Sequence, residues 1–250
     1  MSEPEVDVEP SNRSWVLPLE VGGQLEFTAD AAVLRVMPVR PGEQPRLEAT
    51  SSIAPNIRVD VAQEGQHVRV RATHFSGGMG WDSVFPWNWG PNAKLTLYVP
   101  QAVRAHVKVD YGRVRIERLE GCELDVATDA GEVTLEDIRG KLRLRTSAGQ
   151  VVGERLSGSF DVEATVGAVR LAIGGLDAGT HRVRSSMGSV RLDLVRGLKV
   201  RVDMRTSLGH ARSTYPSTSD AAAVLDIATD VGSVRVSERS EERRVGKECH

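Results

Sequence analysis

Apolar and polar residues alternate through the second half of the chain, and a glycine interrupts the alternation at regular intervals. In the segment 124–135, the alternation Leu-Asp-Val-Ala leads into turn residues ending at Gly131 and resumes as Glu-Val-Thr-Leu. A period of two residues is typical of β-strands with one buried face. Glycine tolerates a positive φ at such a turn because it has no Cβ. The pattern therefore predicts repeated units of strand, tight turn and strand.

The spacing of these glycines predicts how the units are arranged. They lie 18 to 23 residues apart, at Gly112, Gly131, Gly149, Gly167, Gly188, Gly209 and Gly232. A fixed period near 20 residues indicates a stack of supersecondary units, each of which buries its apolar face only against its neighbours. We therefore predict an all-β protein, a right-handed parallel β-solenoid whose coils are about 4.8 Å apart. A propeller is the main rival, but pairs of units would give too few blades of about 40–50 residues.

Two columns of the predicted stack can be read directly from the sequence. The position six residues before each glycine should face outward, and it reads His106, Asp125, Arg143, Asp161, Arg182, Asp203 and Asp226. Opposite charges on neighbouring strands are favourable, so alternation of sign from Asp125 to Asp203 supports a parallel stack in register. The position three residues before the glycine holds small and hydroxyl residues, which predicts a ladder of hydrogen bonds between coils.

The rest of the chain lacks the repeat. Residues 1–24 are acidic and contain prolines, which favours a flexible tail. Residues 25–100 show short strand patterns broken by prolines, and we interpret them as an irregular N-terminal β cap over an otherwise exposed solenoid end. The repeats occupy residues 101–237, and the charged residues 238–250 are predicted to be a disordered or non-native tail.

The composition limits the cellular locations and the binding partners that the sequence supports. The chain has 250 residues and a net charge of −2, so bulk charge predicts neither specific nucleic-acid binding nor attraction to a membrane. It has no run of 18 apolar residues and no visible signal peptide, and its two cysteines exclude a disulfide framework. These features predict a cytoplasmic protein, for which any association with the cell envelope would come through a partner.

Several segments resemble those of a known family. The segment 95–100 (Leu-Thr-Leu-Tyr-Val-Pro) is followed by the alternating segment 105–116, and the units 146–151 (Thr-Ser-Ala-Gly-Gln-Val) and 185–190 (Ser-Ser-Met-Gly-Ser-Val) come later. These residues resemble the bacterial "putative adhesin" family, a domain of unknown function with a strand ending in Val-Pro and repeated Thr-Ser-Gly-x-Val units. The resemblance covers roughly residues 25–237. It implies a β-solenoid without enzymatic activity and provides no site residues.

An aromatic-rich loop is the first candidate binding site. Residues 74–91 contain Phe75, Trp81, Phe85, Trp87 and Trp89 among glycines and prolines. Concentrated aromatic rings can dock in a partner's pocket, mediate self-association or stack on a glycan. They can equally fold back and close an open side of the solenoid, because several large rings in water favour aggregation.

A column of arginines is the second candidate. The third residue after the repeat glycine is Arg170, Arg191, Arg212 and Arg235 in the last four units. Stacked on consecutive coils, these side chains would form a stripe that binds phosphates, a polyanion or an acidic protein surface. The alternative is a solvated face on which nearby carboxylates such as Asp193 and Glu238 pair with the arginines.

Catalytic motifs are not visible in the sequence. The six histidines are scattered, no spacing fits a zinc site, and neither a phosphate-binding loop nor a nucleophile elbow occurs. A sugar-cleaving enzyme would need clustered carboxylates, for which Asp110, Asp129 and Glu132 are the nearest candidates. We therefore predict no enzyme, no catalytic residue, no metal and no cofactor.

The sequence thus favours a non-enzymatic β-solenoid scaffold or protein-interaction module that binds a protein partner or a second copy of itself. The alternative is a binding module for an anionic polymer or a glycan, which the arginine column and the Trp-rich loop would recognise.

Overall fold

The computed structural model describes residues 11–51, 57–74 and 93–239, and the regular structure in these ranges is entirely β-strand. This confirms the predicted all-β class. The strands, in chain order, are β1 (Ser11–Val16), β2 (Gln24–Pro38), β3 (Arg46–Ser51), β4 (Ile57–Glu64), β5 (His67–His74), β6 (Ala93–Val99), β7 (Arg104–Leu176), β8 (Gly179–Leu194), β9 (Arg201–Ser213) and β10 (Ala223–Glu238). Residues 1–10 of the predicted N-terminal tail, most of the predicted Trp-rich loop and residues 240–250 of the predicted C-terminal tail lie outside the described residues. The prediction of a flexible tail is wrong for residues 11–24, because β1 pairs with β3 and the side chains of Leu17 and Leu19 are buried in the core.

The strands form one open sheet in the order β1-β3-β6-β2-β7-β8-β10-β9, with β4 attached through β5 to β2. From β2 to β9 every pair along this path is parallel and in register. The pairs β1–β3, β3–β6 and β4–β5 are antiparallel. The molecule therefore has a parallel, solenoid-like part and an antiparallel part made from residues before position 100.

β7 is one extended run of 73 residues that winds back onto itself. Its coils bend at three places, of which the repeat glycine is the first. The second bend comes six residues later, where Arg118, Asp137 and Arg155 have φ values of 57°, 54° and 53°. The third comes nine residues after the glycine, at Gly121, Gly140 and Gly158, which also have positive φ. Because the bends recur at fixed offsets, each coil repeats the path of the one before.

The seven repeat glycines form one continuous line along the stack, as the sequence predicts. Their φ values lie between 133° and 148°. A Cβ on Gly149 would overlap the carbonyl oxygen of Gly131, and the same overlap recurs at the other six. The line begins at Ala32 of β2, and its order is Ala32, Gly112, Gly131, Gly149, Gly167, Gly188, Gly232, Gly209. Glycine is therefore required for close packing of the coils as well as for the turn.

The last two strands are stacked in the reverse of their chain order, which the sequence did not predict. β10 lies between β8 and β9, so the arginine column runs Arg170, Arg191, Arg235, Arg212. The inward residues of β10 are strongly apolar and fully buried: Leu225, Ile227, Val234 and Val236. Their counterparts on β9 are Val202, Met204, Ala211 and Ser213, none of which is fully buried. The more apolar strand occupies the inner position because it gains more from burial.

The exchange keeps the predicted charge alternation but puts Asp226, and not Asp203, beside Arg182. Asp161 lies beside Arg182 and Arg182 beside Asp226, but Asp226 then lies beside Asp203. Arg205 compensates by donating a hydrogen bond of 2.6 Å to Asp226. The sign of the charge therefore alternates along this column as far as β10. Where Asp226 lies beside Asp203, Arg205 neutralises Asp226.

The predicted hydroxyl ladder is wrong. Thr128, Thr146, Ser185 and Thr229 are buried at the expected column position. Among the described residues, however, the side-chain oxygens of Thr146, Ser185, Thr206 and Thr229 have no hydrogen-bond partner. Side chains in register on neighbouring strands are about 4.8 Å apart, which exceeds the length of an O–H···O hydrogen bond.

A buried histidine fastens β8 to the preceding coil. The ring of His181 is almost fully buried. Its Nδ1 accepts a hydrogen bond of 3.2 Å from the backbone N–H of Phe160. This assigns the proton to Nε2, which donates to the carbonyl oxygen of Asp177 at 2.8 Å. Both ring nitrogens are used, so this histidine has a structural role.

We expect Gly149→Ala to destabilise the protein by more than about 3 kcal/mol, because the new Cβ adds steric overlap to the strain of positive φ. Gly42→Ala is the matched control, since Gly42 also has positive φ (83°) but a Cβ there would meet no atom within 4 Å. Gly42→Ala should lower the free energy of unfolding by only about 1 kcal/mol. Urea unfolding of both variants measures the difference, and equal losses would show that the close contact contributes nothing.

Candidate functional site

The arginine column consists of Arg170, Arg191, Arg235 and Arg212, each the third residue after a repeat glycine. Parallel pairing places Arg170 beside Arg191, Arg191 beside Arg235, and Arg235 beside Arg212. All four side chains are exposed. The structure therefore brings together the four arginines that the sequence singled out, on four neighbouring strands of one face.

The carboxylates that the sequence offered as partners are engaged elsewhere. Asp193 accepts a hydrogen bond of 2.6 Å from the hydroxyl of Ser237. Glu238 lies 3.3 Å from the guanidinium of Arg196. Within residues 11–51, 57–74 and 93–239, the structure shows no ion pair or hydrogen bond to the side chains of the arginine column. The column is therefore a stripe of positive charge.

The same face carries a different set of arginines in its first half. Arg35 and Arg115 occupy the equivalent position on β2 and on the first coil of β7, and they lie side by side. Arg35 binds both carboxylate oxygens of Glu117, at 3.1 and 2.8 Å. Arg115 contacts Glu117 and lies 2.9 Å from Glu136. We call this network, together with Arg155, the ion-pair ladder.

Arg155 continues the ladder toward the next coil. It stands at a bend with positive φ and donates hydrogen bonds to Glu136, at 2.6 Å, and to Asp137. The ladder thus alternates in charge from Arg35 through Glu117, Arg115 and Glu136 to Arg155, and its contacts between strands join diagonal neighbours of opposite charge.

One column of side chains decides which arginines are neutralised. The fifth residue after the repeat glycine is Glu117, Glu136 and Glu154 in the first three units but Ala172, Asp193 and Ser237 in the units that carry Arg170, Arg191 and Arg235. This column was not recognised from the sequence, although its signal was present at a constant offset. Loss of the glutamates separates an electrically balanced first half from a cationic second half.

Glu117 is the buried centre of the ladder. Burial raises its pKa, but the hydrogen bonds and charges of Arg35 and Arg115 outweigh this effect and leave the pKa below the ordinary value of 4.5. Its side chain is 7% exposed. The charged form is therefore the stable one in the folded protein at neutral pH.

A charged groove of about 680 Å³ lies on the opposite side of the glycine line. Its walls carry charges that alternate from strand to strand, and some of these pair with one another. His106 lies 3.5 Å from Asp125 and Arg143 lies 3.9 Å from Asp161, while Arg145, which is not part of the lining, lies 2.8 Å from Asp125. Because cations and anions balance within the groove, it offers no preference for a ligand of one sign.

The described residues provide no support for a catalytic centre. Asp110 pairs with Lys108 at 3.2 Å and Glu132 with Arg113 at 3.7 Å, so these candidate carboxylates have structural partners. Burial raises the pKa of Cys122 to about 11, which keeps the thiol protonated and unreactive at neutral pH. In the part of the chain that the structure describes, no group of three His, Cys, Asp or Glu side chains could hold a metal ion, and no helix could cross a membrane.

The aromatic candidates lie outside the described residues. Trp81, Phe85, Trp87 and Trp89 all fall in residues 75–92. Their proposed roles in docking, glycan stacking or closing the solenoid therefore stay predictions.

Comparison with known families identifies the fold. The model of the family described as Toastrack DUF4097 matches residues 92–240, which is more than half of the chain. The match includes the parallel stack from β6 to β10 and the whole arginine column. It confirms the resemblance found in the sequence and agrees with the solenoid-like arrangement of the strands. No curated protein is significantly similar in sequence.

Solved structures that match the chain come from bacteria. A candidate cell adhesion protein from Clostridium sporogenes is 9% identical, with a TM-score of 0.40 over 92% of this chain and 100% of that chain. A candidate adhesin from Bacteroides fragilis is 9% identical, with a TM-score of 0.29 over 92% and 97%. A candidate lipid-binding protein from Parabacteroides distasonis is 10% identical, with a TM-score of 0.33 over 94% and 98%. At these scores the likenesses support no conclusion about function.

We expect Glu117→Gln to lower the free energy of unfolding at pH 7 by about 1–3 kcal/mol, because Arg35 and Arg115 lose a charged partner. A carboxylate whose pKa is lowered by folding stabilises above its unfolded pKa, and this contribution is lost as the pH falls through the folded pKa. The difference between variant and wild type should therefore shrink below about pH 4. Urea unfolding of the variant and of the wild type at neutral and acidic pH measures this difference in stability.

Glu154→Gln is the matched control for this prediction. Glu154 occupies the equivalent position two coils later, but its side chain is 57% exposed and lies 3.5 Å from Arg155. Its loss should change stability by less than about 0.5 kcal/mol at either pH. A pH-independent effect of Glu117→Gln would show that packing, and not charge, explains its role.

Proposed function

The chain belongs to the Toastrack DUF4097 family, and we propose that it is a non-enzymatic scaffold or interaction module whose arginine column binds an anionic partner. One observation carries this proposal. Four exposed guanidiniums stand in register on adjacent strands, and the described residues supply no carboxylate to neutralise them. On the same face, Arg35 and Arg115 are fully engaged by carboxylates. The contrast within one face supports a partner at the cationic half.

The spacing of the column suits a partner with repeated negative charges. Neighbouring strands are about 4.8 Å apart, so the four side chains extend over roughly 14 Å. Like charges at this spacing repel one another, by about 1 kcal/mol per pair in water and more near a protein surface. A row of phosphates, sulfates or carboxylates would relieve this repulsion and accept bidentate hydrogen bonds from the guanidiniums. An acidic protein surface and an anionic polymer both meet this description.

The form of the solenoid supports a scaffold as well. We propose that the parallel stack winds in the right-handed sense, which connections between parallel strands almost always follow. We also propose that β1 and β3 to β6 act as the N-terminal cap, because β5 and β6 pair with β2, which would otherwise be an open edge, and the antiparallel strands β1, β3 and β4 extend outward from them. The cytoplasmic location predicted from the sequence stays a prediction.

Binding to a soluble polyanion tests the proposal. We expect the protein to bind heparin with an affinity that falls steeply with added salt, and Arg170→Glu/Arg191→Glu to weaken that binding by at least about tenfold. The matched control is Arg40→Glu/Arg58→Glu. This double variant changes the net charge by the same amount, at exposed residues outside the arginine column. Isothermal titration calorimetry at two salt concentrations measures the affinities. Equal loss in both double variants would mean that only net charge matters and would contradict a site at the column.

A further inference from the structure

An exposed apolar line runs beside the arginine column. It consists of the residue before each repeat glycine on the last four strands of the stack. We call these residues the corner ridge: Val166, Met187, Val231 and Leu208. They are 45%, 55%, 41% and 68% exposed. Single exposed apolar residues are ordinary, but four in register on adjacent strands form a continuous patch.

The ridge lies on the outside of the glycine bend. The glycines beside it form a shallow, open depression and not a closed pocket. This position is apolar at every stacked strand from β2 to β9, and its other members are Ala31, Tyr111, Ala130 and Ala148. Large apolar side chains occur together only in the four strands that also carry the arginine column.

Side chains become steadily more polar from the ridge to the arginines. The residue after the glycine is Ala168, Ser189, Ser233 or His210 in the four strands. The arginine column follows two residues later, at most about 13 Å of extended chain from the ridge. Apolar side chains, then small or polar ones, and then arginines therefore follow one another along each of these four strands. The acyl boundary, the ester region and the phosphates of a lipid leaflet follow the same order of increasing polarity.

We propose that the corner ridge and the arginine column together bind the surface of an anionic lipid bilayer. This inference rests on the proposed function, since it names the anionic partner of the arginine column. The ridge side chains enter the boundary between headgroups and acyl chains, and the guanidiniums bind lipid phosphates. Apolar insertion and electrostatic attraction add, so several modest contacts give measurable binding.

Charge distinguishes this partner from a second copy of the chain. Two copies that packed ridge against ridge would bring two arginine columns to one interface. Within the described residues these arginines have no anionic partner, so the dimer would concentrate eight positive charges at its interface. An anionic leaflet neutralises the same charges. Its fluid acyl boundary also receives a projecting ridge without a matching groove, which a folded protein partner would have to provide.

Vesicle sedimentation tests the proposal directly. We expect the wild type to bind vesicles of phosphatidylcholine and phosphatidylglycerol and not vesicles of phosphatidylcholine alone. Met187→Ser/Leu208→Ser should weaken binding to the anionic vesicles by about tenfold while leaving heparin binding unchanged. Tyr111→Ser is the matched control: Tyr111 is 56% exposed on the same line, but beside arginines that carboxylates neutralise. It should bind vesicles like the wild type.

The outcomes separate the two proposals. Heparin binding that depends on Arg170 and Arg191, without any binding to anionic vesicles, would leave the proposed function intact and overturn the membrane inference. Vesicle binding that survives Met187→Ser/Leu208→Ser would overturn it too. A dimer in solution that this variant dissociates would identify a second copy as the occupant. If neither heparin nor anionic vesicles bind, both proposals are wrong.

Discussion

The close approach of backbones along the glycine line constrains everything else in this molecule. Each repeat glycine lies against the carbonyl of the residue in line with it on the neighbouring strand, where a Cβ would overlap. A shift of one residue would place a side chain in that contact and turn every buried side chain outward. Register is therefore fixed once per coil, and each position relative to the glycine becomes a column of side chains along the stack.

Because the register is fixed, a few substitutions at one column position change the charge balance of a whole region of the surface. The first coils carry a glutamate five residues after the glycine, and their arginines form the ion-pair ladder. Later coils replace that glutamate, and their arginines face solvent beside the corner ridge. One face of a single repeating structure thus has a self-neutralised half and a half whose arginines have no carboxylate partner among the described residues, where we propose that an anionic partner binds. The repeat provides the frame, and a few column positions determine what that frame can bind.

The charged groove and the arginine face together show why charge alone does not locate a site. The groove is lined by charges of both signs that alternate from strand to strand, and several of them pair with one another. Alternation stabilises the stack and removes any attraction for a ligand of one sign. A column of one sign has the opposite consequence: it adds no stability, so an external partner is its simplest physical explanation.

The sequence by itself determined the all-β class, the coil length, the line of glycines and the offset of the arginines, because these depend on local alternation and on a residue without Cβ. It did not determine that β10 lies between β8 and β9, since chain order says nothing about which of two strands gains more from burial. Nor did it decide that Asp193 binds Ser237 while Glu117 binds Arg35, or that the hydroxyls in register remain too far apart to bond. Those outcomes depend on distances across the stack, and only the tertiary structure sets them.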